Sequence, residues 1–472
     1  MEKNIKITFY MSTSFIKKHF FTIGVLLLIL LRVILNIFIP LMDKTEARYA
    51  EIARIMAETN DYITPQIDYG IPFWAKPPLS TWLSAISIEF FGPNEFATRL
   101  PYLLLSILVV FLIGKYASRE KLPFYLPGFI ILTIPQFLIH AGVVSTDTAL
   151  MFCTSLVMLS FWEGMKENEN TIWKYLIFIG FGLGLLAKGP IIFILTLPPI
   201  FFWSLYTKSF FEIFKKFNLL IGIPIIFIIA LPWYYYAEQK TPGFIDYFIV
   251  GEHFKRFFDS SWSGDKYGFP KQQPLGIIWL FLLSFALPWI QVIIGKMWKH
   301  QKNVKTNPWL IFLLLWLLWT PLFFTVSKSL IHPYIMPIMV PVALLSTYFW
   351  RHLKRKKLIV EIALVIPVAS FLALIIGFST NKIEYLSKTD KYLIKKNYDE
   401  KLPLYYYDTK SYSSQFYSKG KSKSISEEKI NSLMSDKVSF FIIIPKKTKL
   451  KSIRDTFILK DENKTNRIFK VN

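Results

Sequence analysis

The stretch FFTIGVLLLILLRVILNIFIPL, from Phe20 to Leu41, decides the fold class of this chain. A hydrocarbon core of about 30 Å takes roughly 20 mostly apolar helical residues to cross, and this run supplies them. Lys17 and Lys18 stand before it. The run is too long for a signal-peptide core and lacks a small-residue cleavage site, so it reads as a retained first span. Stretches of the same kind recur along the first four fifths of the sequence. In lipid each span must satisfy its own backbone hydrogen bonds, so the repetition predicts a helical bundle. With 53% hydrophobic and 18% charged residues among 472, the chain has too little polar surface to cover a soluble fold.

Eleven spans are predicted, near 20–41, 96–114, 124–143, 147–163, 173–187, 190–206, 218–237, 274–294, 308–327, 333–350 and 359–378. With the N-terminus inside, four basic groups fall on the inner face. They are Lys115, Arg119 and Lys121; Lys208, Lys215 and Lys216; Lys296, Lys299, Lys302 and Lys305; and Arg351, Lys354, Arg355, Lys356 and Lys357. The net charge of +23 therefore reports orientation. Nucleic acid is not an expected partner, because no groove-reading or base-stacking module accompanies the charge. Cys153, the single cysteine, lies in an apolar run and reads as a small buried hydrophobe.

Three polar segments fall outside: about 42–95, about 238–274, and the tail from about 381 to 472. The tail holds strand-like runs, Leu404 to Tyr407 and Val438 to Pro445, and predicts a small α/β domain. This divides the chain into a membrane domain, 1–378, and a C-terminal domain, 379–472. In the first outer loop Tyr49, Ile52, Ala53 and Met56 follow the i, i+3, i+4, i+7 spacing of one helix face, with Arg48, Glu51, Arg54 and Glu58 elsewhere on the turn. A second helix follows Pro77 and Pro78, with Leu79, Trp82, Leu83, Ile86 and Phe90 on one stripe. Two helices lying in the interface plane would form a shelf for a lipid-borne substrate with a polar head.

Ionisable groups at membrane depth are costly and mark function by default. Here they gather on the outer side: Glu46 and Arg48 after the first span, Lys76 between the loop helices, Asp147 at the mouth of the fourth span and Lys188 between the fifth and sixth. Glu252, His253 and Arg256 in the second outer loop and Lys328 before the tenth span complete the set. Blander roles exist for each: interfacial lysines snorkel, Asp147 can cap its helix, and Glu46 can serve a helix dipole. Together they read as cations and carboxylates around an outer cavity. Arg and Lys give charge-assisted hydrogen bonds to a phosphate. A neighbouring carboxylate can take the proton of an attacking hydroxyl while the cations stabilise the departing phosphate. No nucleotide-binding loop is present, so the energy for transfer must reside in the substrate, as it does in a sugar esterified to a lipid phosphate.

The stretch Thr45-Glu46-Ala47-Arg48-Tyr49-Ala50-Glu51-Ile52-Ala53-Arg54, followed by Asp61-Tyr62-Ile63-Thr64-Pro65 and Phe73-Trp74-Ala75-Lys76-Pro77-Pro78, resembles the first periplasmic loop of the bacterial aminoarabinose:lipid A transferases. Those enzymes stand with the protein O-mannosyltransferases in the GT-C superfamily of polyprenyl-phosphate-dependent glycosyltransferases. The resemblance continues in Ser145-Thr146-Asp147, Ala187-Lys188-Gly189, Leu231-Pro232-Trp233, Glu252-His253-Phe254-Lys255-Arg256-Phe257, and Ser327-Lys328 through Pro333-Tyr334-Ile335-Met336-Pro337. It runs in order over about residues 20 to 350.

The resemblance implies an α-helical integral membrane protein, a GT-C bundle of about eleven transmembrane helices with two interfacial helices in the first periplasmic loop and a small C-terminal periplasmic α/β domain. It implies a multi-pass protein of the bacterial inner membrane whose site faces the periplasm. The implied activity is inverting transfer of a sugar from a polyprenyl (undecaprenyl) phosphate carrier onto lipid A, a protein or another envelope glycan. Arg48, Lys76, Lys188 and Arg256 match positions associated with the lipid phosphate, Tyr334 a tyrosine near the carrier, and Asp147 a cavity carboxylate. Tyr49, Glu252, His253 and Lys328 stand as accessory residues.

Two departures from the family bear on the chemistry. The first carboxylate of an adjacent Asp-Glu pair is replaced by Thr45, which leaves Glu46 as the expected base with Asp43 and Asp147 in reserve. The glutamate before the matching lysine is Ala75, so a metal held by it and by His253 would lose a ligand, and no metal or other cofactor is expected. The expected partners are the polyprenyl-phosphate sugar, a lipid or protein acceptor and membrane lipids, with the chain a monomer.

Two rival classes compete with transfer chemistry. A transporter or flippase for the same lipid would show inverted repeats and polar groups reachable from both faces, whereas here the repeat is missing and the polar groups lie outside. A scaffold whose C-terminal domain recruits envelope enzymes would lose its function on removal of residues after about 380 and keep donor binding.

Overall fold

The computed structural model describes residues 2–166, 171–256, 262, 264–267, 273–448 and 456–472; Phe257, the last residue of the Glu252 motif, lies outside them. Helices dominate, with short strands confined to residues 66–72 and 404–471. The chain is a multi-pass membrane protein. Among the described residues five helices are long and apolar enough to cross a bilayer: Lys18–Phe38, Glu95–Arg119, Leu219–Lys240, His332–His352 and Lys356–Ser379. Two sharply bent pairs, Ile191–Tyr206 with Phe210–Lys216 and Ile277–Phe285 with Trp289–Lys299, raise the number to seven if each counts as one span.

The other four expected spans are helical but shorter, interrupted or more polar. Ile172–Lys188 and Pro308–Phe324 have 17 residues each, about 26 Å at 1.5 Å per residue and at the lower limit for a crossing. The segment predicted over 124–143 breaks at Ile134, whose extended backbone leads into Pro135 and separates Leu126–Thr133 from Pro135–His140. Thr146–Gly164 carries Asp147 and Glu163 near its two ends.

Two compact units result, and their limits do not follow the boundary expected at residue 378. The first comprises Met1–Val33, Phe73–Ser80 and Tyr102–Ala369. Thr146–Gly164 packs antiparallel on Ile172–Lys188, and the latter packs parallel to Leu219–Lys240, with Phe178 against Gly222 and Tyr234 OH donating to Leu185 O. Close approach depends on missing side chains: a Cβ on Gly180 would stand 2.8 Å from Val157 Cγ2. Phe161, Trp162, Trp203, Trp309 and Phe312 form an aromatic cluster, and the Trp203 indole donates to Pro308 O at 2.9 Å. Leu220, Ile228 and Leu231 of Leu219–Lys240 are exposed, as expected of a lipid-facing surface.

The second unit comprises Ile34–Pro72, Thr81–Pro101 and Ser370–Asn472. Its five-stranded sheet has the order Ser422–Ile425, Leu404–Tyr407, Phe440–Pro445, Asn466–Val471, Phe457–Glu462. The first three strands are parallel and the last two antiparallel. Residues alternate along Phe440–Pro445, with Phe440, Ile442 and Ile444 in one core and Phe441 and Ile443 in another, so both faces of the sheet are covered.

In this unit the amphipathic reading of the first loop needs correction. The helix Thr45–Thr59 is buried on its polar side as well, Glu46, Glu51 and Arg54 included. Tyr412–Tyr417 packs against it, and Arg54 satisfies Glu51 through two bonds of 2.7 and 2.8 Å. On the second loop helix Ile86 and Phe90 of the predicted apolar stripe are 45% and 78% exposed, Leu79, Trp82 and Leu83 are half-buried, and Ser84 and Ala85 are buried.

Asp43, the reserve base of the sequence reading, is tied down in this unit. Its carboxylate accepts from Ser413 N at 3.0 Å and from Ser413 Oγ. Burial, and then the nearby Asp390, push its carboxyl up from 3.8 to about 7. The folded chain thus holds this proton more tightly than the unfolded chain does. Stability should fall as pH rises from about 4 to about 7 and level off above it. Asp43→Asn should flatten that dependence in thermal unfolding followed at several pH values.

Candidate active site

A cavity of ≈ 260 Å³ lies within the first unit. Its lining combines the polar residues Lys76, Asp147, Lys188, Glu252, His253, Arg256 and Tyr334 with the apolar residues Leu150, Ile191, Ile194, Leu195, Phe323 and Phe324. Local sequence explains how each charged group is presented. Ser145 caps the helix Thr146–Gly164 by accepting from Asp147 N at 3.1 Å, and its hydroxyl donates to Asp147 Oδ2 at 2.9 Å. Asp147 is thereby fixed in the first helical turn, where the helix dipole favours an anion.

Lys188 ends the neighbouring helix. Its ammonium lies 2.5 Å from Asp147 Oδ1 and 4.4 Å from the centre of the Tyr334 ring. The next residue, Gly189, has φ +80, and a Cβ there would meet the Phe248 ring at 2.6 Å. Glycine at this turn lets the π-helical segment Asp246–Lys255 close on the Lys188 backbone.

Glu252 on that segment holds two cations. It lies 2.8 Å from Lys76 Nζ and 3.0 Å from Arg256 Nη1, and Tyr247 OH stands 3.4 Å away. Burial pushes the Glu252 carboxyl up, but Lys76 and Arg256 outweigh it and hold the group below the usual carboxylate range. Arg256 also lies 3.4 Å from Asp265 through Nε. His253 has Nδ1 2.8 Å from Phe248 O and Nε2 3.3 Å from Lys188 O, and burial lowers its proton affinity. Both ring nitrogens therefore face carbonyl oxygens, and Ala75 offers no ligand, so these positions are poorly disposed to hold a metal.

The remaining expected residues do not line the cavity. Glu46 makes a bidentate pair with Arg99, Oε1 to Nε and Oε2 to Nη2 both at 2.8 Å. Arg99 also donates to the carbonyls of Asn36, Ile39 and Pro40, the acceptors left open at the end of the first helix. Both oxygens of Glu46 are thus engaged by a buried guanidinium. Arg48 hydrogen-bonds Tyr412 and lies over the ring of the buried Tyr49. Lys328 is exposed beside the lining residues Ser327 and Ser329.

Sequence reasoning missed Tyr247, Asp265 and Arg99, and a buried set behind Asp147. There the Gln136 side chain bridges two imidazoles, Oε1 2.8 Å from His332 Nδ1 and Nε2 3.0 Å from His140 Nδ1. Thr148 Oγ1 donates to His140 O at 2.9 Å, which braces the turn presenting Asp147. The signal was available for Arg99, Gln136 and His140, which lie inside predicted spans where polar side chains are costly.

Known proteins resemble this chain in sequence and in fold. Residues 20–248 match the family described as dolichyl-phosphate-mannose-protein mannosyltransferase. The undecaprenyl phosphate-alpha-4-amino-4-deoxy-L-arabinose arabinosyl transferase of Wigglesworthia glossinidia brevipalpis is 31% identical over 364 residues, 74% of this chain and 62% of that protein. Its namesake from Aeromonas hydrophila is 28% identical over 313 residues, 65% of this chain and 55% of that protein. The chain thus spans between 55% and 62% of the length of these relatives. The crystal structure of ArnT from Cupriavidus metallidurans bound to undecaprenyl phosphate superposes with a TM-score of 0.77 at 16% identity, covering 95% of this chain and 97% of that one. Its apo form gives 0.78 at 14% identity, covering 96% and 98%. In sequence and in fold, the chain resembles the GT-C polyprenyl-phosphate sugar transferases represented by the aminoarabinose transferases and the protein mannosyltransferases.

Proposed function

We propose that this protein is an inverting glycosyltransferase, moving a sugar from a polyprenyl (undecaprenyl) phosphate carrier onto an envelope acceptor at the periplasmic face of a bacterial inner membrane. The observation that carries the reading is the convergence of Lys76, Lys188 and Arg256 on one cavity whose lining is otherwise rich in apolar residues. Such a cavity matches a ligand with a phosphate at one end and an isoprenoid at the other. The acceptor nucleophile attacks C1 of the sugar, the C1–O bond to phosphate breaks, and the bonding electrons leave with the phosphate. The three cations stabilise the growing negative charge, and a cavity carboxylate takes the acceptor's proton. The eleven crossings and the outward-facing C-terminal domain belong to the same reading, supported by the pattern of inner-face lysines. Names of the relatives support undecaprenyl phosphate as carrier and aminoarabinose as a sugar to try first, with lipid A, a protein side chain and another glycan as acceptors.

Purified protein given a short-chain polyprenyl-phosphate sugar and these acceptors should release polyprenyl phosphate in step with sugar transfer. Arg256→Ala should lower the rate by at least about 100-fold, as loss of a charged transition-state contact does. Redistribution of the lipid across liposomes without transfer would make the protein a transporter. Mass analysis of envelope glycolipids and glycoproteins from a deletion strain identifies the acceptor.

A further inference from the structure

We infer that Glu252 and the donor's phosphate compete for the same two cations, and that Glu252, once displaced, is neutralised by a proton from solvent. This deepens the transfer reading above and rests on it. Glu252 occupies the place an incoming phosphate needs, between Lys76 Nζ at 2.8 Å and Arg256 Nη1 at 3.0 Å. A phosphate that takes those cations leaves the carboxylate nearly enclosed, with 3% side-chain exposure, and with Tyr247 OH at 3.4 Å as a weak remaining donor. A carboxylate so deprived of positive charge binds a proton avidly.

Asp147, the other carboxylate in the cavity, cannot be switched in this way. If Lys188 turns to the phosphate, Asp147 keeps the Ser145 hydroxyl at 2.9 Å and a place in the first turn of its helix. Both favour its ionised form. Glu252 stands near the C-terminal end of Asp246–Lys255, where the helix dipole disfavours an anion. The cations that hold Glu252 ionised in the empty cavity are the same ones that stabilise the leaving group.

The proton ledger closes. Glu252 takes its proton from solvent as the donor binds; in the transfer step the acceptor's X–H proton passes to Asp147, the carboxylate that stays ionised, and from there to solvent, X bonds to C1, and the phosphate departs carrying the electrons of the broken C1–O bond. When the polyprenyl phosphate leaves the cavity, Glu252 returns its proton to solvent and recovers Lys76 and Arg256.

The test uses a short polyprenyl methyl phosphodiester, which has no proton that titrates near neutral pH, in calorimetry with two buffers of different ionisation enthalpy. Wild-type protein should take up close to one proton on binding, and E252Q close to none. E252Q should bind the diester about five- to tenfold more tightly, because the competing charge is gone. A merely structural Glu252 would weaken binding and transfer together, and that result overturns the inference. Should E252Q fail to fold, the wild-type measurement decides alone: binding without proton uptake refutes the exchange. Sugar transfer without proton uptake defeats the exchange and leaves the transferase reading standing. Proton uptake without transfer by the wild type does the reverse.

Discussion

Replacing Lys188 by Ala should lower transfer from a polyprenyl-phosphate sugar by about 10²–10³-fold, the largest loss expected of a single substitution in the cavity. Two effects act in the same direction. The ammonium that would meet the phosphate is gone, and Asp147, 2.5 Å from Lys188 Nζ in the native protein, is left without its counter-charge. A buried unpaired carboxylate then repels the anionic donor. Adding Asp147→Asn to Lys188→Ala should restore part of the donor affinity and little of the rate, because it removes the repulsion without returning the cation. Lys188→Arg should rescue incompletely, since a planar guanidinium does not reproduce a point charge set over the Tyr334 ring at 4.4 Å. Steady-state kinetics on the purified variants, with donor binding measured separately, check each step. A Lys188→Ala rate within about threefold of wild type, under 1 kcal/mol of transition-state stabilisation, would remove this residue from the mechanism.

The second large effect concerns stability. Arg99→Met strands Glu46 in a buried site with no cation, and breaking such a pair costs about 3–5 kcal/mol. Three backbone carbonyls, of Asn36, Ile39 and Pro40, lose their donor at the same time. The double replacement Arg99→Met with Glu46→Leu should recover much of the loss, because an apolar pair of similar volume avoids the desolvation of both charges. Thermal unfolding in detergent, or resistance to proteolysis, gives the comparison. The same measurement separates two roles for Glu46. A general base would lose turnover on change to Gln and keep its fold, whereas the partner of Arg99 loses stability first.

The apolar periodicity made the membrane class and the order of helices legible, because 20 apolar residues in a row have few other fates. The cavity residues Lys76, Asp147, Lys188, Glu252 and Arg256 could be picked out because each is costly where it stands and all fall on one side. Pairings over long separations were not legible. Glu46 meets Arg99 across 53 positions, and Asp43 meets Ser413 across 370. Periodicity assigns a helix face as polar but is silent on what covers that face. For this reason Glu51 and Arg54 read as solvent-facing, although Tyr412–Tyr417 packs on their helix. The strand-like run Leu404 to Tyr407 carried no hint of its parallel neighbours.

The second compact unit gathers residues from both ends of the chain, 34–72 and 81–101 with 370–472. A ribosome delivers them in order, so the early pieces must wait while residues 102–369 are made, on the order of tens of seconds at ordinary elongation rates. During that interval the Glu46–Arg99 pair can already close, since both partners have emerged, but Asp43 and Arg48 lack Ser413 and Tyr412. The early loop is therefore clasped only after the later helix Tyr412–Tyr417 has been made. Nascent chains stalled before about residue 412 should be digested at 42–60 by added protease, and full-length chains should resist.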